Sequence, residues 1–311
     1  MRRSTTHLLL LISLAALPVT AAEPGDAQAE HPVLKAPTHL YTEPNAYLLL
    51  RMAGDRAHFR YTPGSLDRAA NLQQRLEVVS RGFERWTKRH IEFIVYILTR
   101  EEWEQTGYSV AYGIPVRVGS NGLAAPAFGD DETVRLWAHL LDGVLPSVPG
   151  RPLRGTPQHA ATLMVADVLV QLQASEMLVD AIGLGGDDHW VRGVMAHLAA
   201  FTVSSRLEID RLSDLELMYR QLIEKRGAKA FSVRDYHAEI GIEDWLWFQG
   251  QFHFGARALY ENEGKDALKK MVKLRKRSDG VLRGERLLRR YKGLNRWFRS
   301  SFSAVSLRTD R

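Results

Sequence analysis

Hydrophobic positions recur along this chain in two rhythms, and the change between them divides it. Residues 46–51 and 57–61 are strand-like runs on either side of Gly54-Asp55, a turn signal that predicts a hairpin. Leu72, Leu76, Val79, Phe83 and Trp86 then fall at helical spacing, which predicts a long amphipathic helix over 66–89. Residues 91–98 are β-branched and aromatic and predict a strand. Thr99-Arg100-Glu101-Glu102 has the form of a capping box opening a short helix. Residues 113–128 mix glycine, proline and small apolar residues, suiting short strands and turns, and 130–145 read as helix.

From there on the period is helical. Residues 156–206 read as two helices joined by the glycine-rich loop Gly183-Leu184-Gly185-Gly186. The first opens on Thr156-Pro157, a cap followed by proline at the first helical position, and carries the apolar run 163–172. The second begins near Trp190. Further helices are predicted over 212–226, 243–262, 265–276, 282–291 and 294–305. The aromatic group Trp245, Trp247, Phe248, Phe252 and Phe254 reads as core. The expected fold is α+β, a small N-terminal mixed sheet with helices over 38–150 followed by a mainly helical part over 151–311.

The N-terminus changes the expected compartment. Met1-Arg2-Arg3, an apolar run over 8–19 and Thr20-Ala21-Ala22 have the charge, core and small residues of a secretory leader, with cleavage expected near Ala22. The run is shorter than the ~20 residues of a membrane span. Residues 23–37 read as a linker, and the expected location is periplasmic or secreted. The absence of cysteine excludes disulfides, thiolate metal sites and a cysteine nucleophile.

The chain's net charge of +6 is unevenly distributed. Between Lys265 and Arg299 fourteen basic residues stand against Asp266, Asp279 and Glu285, so the remainder is net acidic. Lys269, Lys270, Lys273, Arg275, Lys276, Arg277, Arg289 and Arg290 form a candidate surface for an anionic partner; a solvated helical face is the simpler reading. No phosphate-binding loop, dinucleotide fingerprint or serine elbow is present, and no nucleic-acid partner is expected.

Candidate chemistry centres on the helix pair. Asp167 and Gln171 lie four apart, hence on one face of an apolar helix, and Val168 stands between them. Trp190-Val191-Arg192-Gly193 follows one loop later. This layout resembles the gluzincin (peptidase MA-like) metallopeptidases. Their first helix carries His-Glu-x-x-His, two zinc ligands around a general base, and a later Trp-x-x-Glu-Gly supplies the third ligand. The resemblance extends from about residue 59 to 305. It implies that 116–118 or 123–125 is the sheet's edge beside a peptide cleft, and that residues 251–264 are the helix after the site. It also implies lost chemistry, because Asp167, Val168, Gln171 and Arg192 occupy the ligand and base positions. An ion pair between Asp167 and Arg192 across the former metal site is one expectation. A displaced metal site from His159, His189 and His197 is another; surface or capping histidines are the plainer one.

The expectation is therefore an exported, non-catalytic pseudo-peptidase that binds or scaffolds in the cell envelope, with no metal or cofactor. Its expected ligand is an extended peptide or an envelope protein. A zinc peptidase with rearranged ligands and a basic membrane-surface module are the alternatives.

Overall fold

The computed structural model describes residues 36–303, apart from 38–39, 46, 128–130, 141–167, 187, 208, 237–239 and 279. The first part of the chain supplies β1 (Leu40–Tyr41), β2 (Leu50–Met52), β3 (Ala57–Tyr61), α1 (Leu66–Thr87), β4 (Phe93–Leu98), α2 (Arg100–Gln105), β5 (Val116–Val118), β6 (Gly122–Pro126) and α3 (Asp131–Leu140). The second part is helical: α4 (Leu169–Ala181), α5 (His189–Leu207), α6 (Ile209–Arg226), α7 (Ile242–Glu263), α8 (Ala267–Lys276), α9 (Gly284–Arg290) and α10 (Lys292–Ser301). The fold is α+β with a six-stranded mixed sheet, in agreement with the expected class at that level.

Strand order in the sheet is β1-β5-β6-β4-β3-β2. The predicted hairpin forms antiparallel, with Leu50 opposite Tyr61, but it is shorter than expected on its first side. Tyr47 and Leu48 lie in a turn and are 94% and 85% exposed. β3 and β4 pair in parallel, which requires a crossover, and α1 provides it. Ala69, Leu72, Leu76, Val79 and Phe83 of α1 are buried. The α2 capping box is complete: the Thr99 hydroxyl accepts from the Glu102 amide, and the Glu102 carboxylate accepts from the Thr99 amide.

Of the two candidate edges, Val116–Val118 lies next to the sheet's margin and 123–125 lies inside it, between β5 and β4. The margin itself is β1, a two-residue strand parallel to β5 with Leu40 opposite Arg117. The segment around β1 is tied at several points. Gly119 N–H donates to the Tyr41 carbonyl at 2.9 Å. Tyr108 OH donates to the Thr42 carbonyl at 3.0 Å, and Tyr96 OH donates to Glu43 at 2.9 Å. Farther back, Ala36 N–H reaches the Ile240 carbonyl at 3.2 Å. The N-terminal segment thus touches both the helical part and the sheet margin.

The helical part is built around α5 and α7, which pack on each other and on α4, α6 and α10. Trp245, Leu246, Trp247, Phe248, Phe252, Ala256 and Leu259 of α7 are all buried, as a helix enclosed on most sides requires. The aromatic group is therefore core, apart from Phe254, which is only partly buried. At the α5–α7 crossing, a Cβ on Gly193 would overlap the Phe252 ring, so glycine sets how closely these helices approach. Toward the sheet, α1 packs on β3, and α4 packs on β5 and β6.

Candidate functional site

Helix α4 is apolar on almost every side. Between Leu169 and Ala181 its ionisable residues are Glu176 and Asp180, four apart and so on one face. Asp180 bridges two cations. Its Oδ2 accepts from Arg117 of β5 at 2.7 Å, and its Oδ1 lies 3.0 Å from Nε of Arg192 on α5. One carboxylate thereby joins the strand beside the sheet margin to both helices of the central pair. Gly185 leaves the necessary room, since a Cβ there would lie 3.1 Å from Asp180 Oδ1 and 3.2 Å from Arg192 Nε. The loop reverses through Gly183 and Gly186, whose φ values of 63° and 65° favour glycine.

Glu176 lies one turn before Asp180, and no hydrogen bond joins it to a described residue. Loss of solvent raises its pKa to about 7, with Asp180 adding to the effect and Arg117 and Arg192 opposing it. Tyr236, after a short 3-10 turn at Val233–Asp235, feels both Glu176 and Arg192 and is itself pushed above the usual phenol range, chiefly by burial.

From Tyr236 a polar chain continues into the helical core. Gln249 of α7 donates from its amide nitrogen to the Tyr236 oxygen at 3.3 Å, and its amide oxygen lies 2.9 Å from His197 Nε2. Burial drives the His197 pKa down to about 3, so at neutral pH the ring is uncharged and donates Nε2–H to Gln249. The ring of His253 lies 5.7 Å from that of His197, and its Nε2 is 3.3 Å from Glu216 of α6. Burial also lowers the His253 pKa. Glu216 resists its own burial through His253 and Arg257, which together hold its carboxyl below the usual range.

The residues singled out from sequence are distributed as follows. Asp167 and His159 lie outside the described residues. Val168 directly precedes α4 and is partly buried. Gln171 is buried, and its amide donates to the Ala200 carbonyl of α5 at 3.4 Å. Arg192 is 43% exposed and bound to Asp180. Trp190 is buried against Phe298, with ring centres 5.2 Å apart, and Gly193 meets Phe252. His189 begins α5 and is exposed. His197 differs from the expectation of a surface or capping histidine. It lies in the core because its α5 position faces α7, where Gln249 satisfies its ring N–H. Among the described residues no three His, Asp or Glu side chains are grouped to hold a metal ion.

Sequence reading passed over Glu176, Asp180, Arg117 and Tyr236. The signal for the first two was available: they are the only charges in a thirteen-residue helix. Comparison of the chain with known protein families, with characterised proteins and with solved structures gave no match.

Proposed function

We propose that the chain is a zincin-like binding module, a pseudo-peptidase of the cell envelope that holds an extended peptide at the β1 margin of its sheet and no longer hydrolyses it. One observation carries the reading. Two of the three side chains at the positions where a gluzincin keeps its zinc ligands are committed to protein partners: Gln171 to the Ala200 carbonyl and Arg192 to Asp180. A guanidinium in that place repels a divalent cation, and a neutral amide already donating to a carbonyl is a poor ligand. Val168, at the position of the general base, offers no group that accepts a proton from water.

The peptide part of the proposal rests on the sheet margin. Leu40–Tyr41 adds to β5 through its backbone, which is the geometry by which an extended peptide joins an exposed strand. Because β1 is itself the margin strand and only two residues long, such a ligand would pair with the free side of β1 or displace it from β5. Arg117 and Arg192 are held by Asp180, and a peptide carboxylate would compete with it for them.

The test uses the full-length purified protein. Elemental analysis is expected to show zinc well below one ion per chain, with no cleavage of fluorescent casein. Fluorescence anisotropy is expected to detect binding of casein-derived peptides, weakened by Arg192→Ala. One zinc per chain, together with proteolysis that a chelator abolishes, would overturn the proposal in favour of a metallopeptidase with rearranged ligands.

A further inference from the structure

Helices α8, α9 and α10 each bury an apolar stripe and turn a basic one to solvent. Leu268, Met271 and Leu274 of α8 are buried, while Lys269, Lys273 and Lys276 are exposed. On α9, Leu287 and Leu288 are buried and Arg286, Arg289 and Arg290 are exposed. On α10, Leu294, Trp297 and Phe298 are buried, with Lys292, Arg296 and Arg299 outward. Arg275 departs from the expected surface: it is partly buried and donates to the Gly280 carbonyl at 2.7 Å.

Two features set this surface apart from an ordinary solvated face. Few of its charges are paired: among the described residues, Lys270 meets Glu263 and Arg289 meets Glu285, and no other cation of these three helices has an ion pair. The charges also stand beside their own kind. Lys269 and Lys273, Arg286 and Arg290, and Lys292 and Arg296 are each four apart, where like charges destabilise a helix. A solvated face relieves that repulsion by alternating signs. Here the chain retains it, and an anionic surface laid against the helices would remove it.

We infer that α8–α10 form a peripheral docking surface for an anionic phospholipid bilayer. Among the described residues, every exposed side chain from Lys265 to Ser300 is polar or charged. Binding is therefore by attraction to headgroups, without an apolar anchor entering the acyl region. The aromatic residues Tyr291, Trp297 and Phe298 are buried, so the surface lacks the stacking platforms that single-stranded nucleic acid uses. The leader-like N-terminus, which expects export, also favours a membrane face over a cytoplasmic polyanion.

Sedimentation of the full-length protein with lipid vesicles tests this. Binding is expected to vesicles with about 30 mol% phosphatidylglycerol at about 50 mM salt, to pure phosphatidylcholine not at all, and to be lost at about 500 mM salt. Combining Lys269→Glu, Lys273→Glu, Arg286→Glu and Arg296→Glu should weaken it by about a hundredfold or more, while arginine or lysine exchanges at the same positions preserve it. Circular dichroism checks the fold, and a glutamine set at the same positions replaces the glutamates if they unfold the chain. The inference is overturned by failure to bind the anionic vesicles at low salt. Equal binding by the folded glutamate or glutamine set overturns it, as does binding that salt leaves unchanged. Tighter binding to single-stranded DNA than to the vesicles overturns it in favour of nucleic acid.

Discussion

Replacing Glu176 with glutamine should stabilise the protein above neutral pH and leave it little changed in acid. The carboxyl sits on the apolar helix α4 with Asp180 a turn away, and burial raises its pKa from an ordinary 4.5 to about 7. At about 1.4 kcal/mol per pH unit, this difference corresponds to about 3 kcal/mol. It is a ceiling, because Glu176 keeps some contact with solvent; the opposing pull of Arg117 and Arg192 is already contained in the shift. The sign follows from proton binding. Between about pH 4.5 and 7 the folded carboxyl holds its proton while the unfolded one has lost it, so stability falls as pH rises through that window. Below it both states are protonated and no penalty exists; above it the penalty is complete. Urea unfolding of wild type and Glu176→Gln at pH 4.5, 6 and 8 measures the effect. The variant should gain on the wild type by about 1–3 kcal/mol between the first and last pH. Glu176→Asp, which keeps a carboxyl, should retain much of the wild-type slope. Parallel stability profiles for wild type and Glu176→Gln would refute the reasoning, since they would mean the carboxylate pays no desolvation cost in the folded protein.

Three further outcomes are expected. His197 has the opposite linkage: its folded pKa is depressed to about 3, so the unfolded ring takes up a proton first and stability falls as pH drops below about 6.5. His197→Phe should flatten that acid limb by about 2 kcal/mol between pH 6.5 and 4.5, read by urea unfolding, with an added pH-independent loss from the unpaired Gln249. Gly193→Ala should cost about 1–3 kcal/mol in thermal or urea unfolding, because its methyl overlaps the Phe252 ring where α5 crosses α7. Tyr41→Ala removes the hydrogen bond to Ser109 at 3.0 Å and the ring contact with Tyr108 at 5.1 Å. The N-terminal segment should then release the sheet margin, and amide exchange at Gly119, which bonds the Tyr41 carbonyl, should quicken by about tenfold or more while β4 amides stay protected.

The parts of the fold that were legible in advance are those whose cause is local. The spacing of Leu72, Leu76, Val79 and Phe83 marks one face of α1, and that face is buried. Thr99 and Glu102 close their capping box within three residues. What escaped has a cause elsewhere in the chain. β1 has two residues and no period; it is a strand only because Arg117 and Val118 lie beside it. Arg117 reaches the helix pair from 63 positions before its partner Asp180, and nothing in Val116-Arg117-Val118 announces an ion pair. Family spacing directed attention to Asp167, Val168 and Gln171, whereas the carboxylate that joins sheet to helices is Asp180, near the end of α4. The more general sign was physical: a carboxylate on a largely buried helix with no basic residue needs a partner, and Asp180 is ion-paired to two arginines while Glu176 has no hydrogen bond among the described residues. Arg117 and Arg192 offset the cost of burying Glu176 only in part, and the remaining cost is what Glu176→Gln removes.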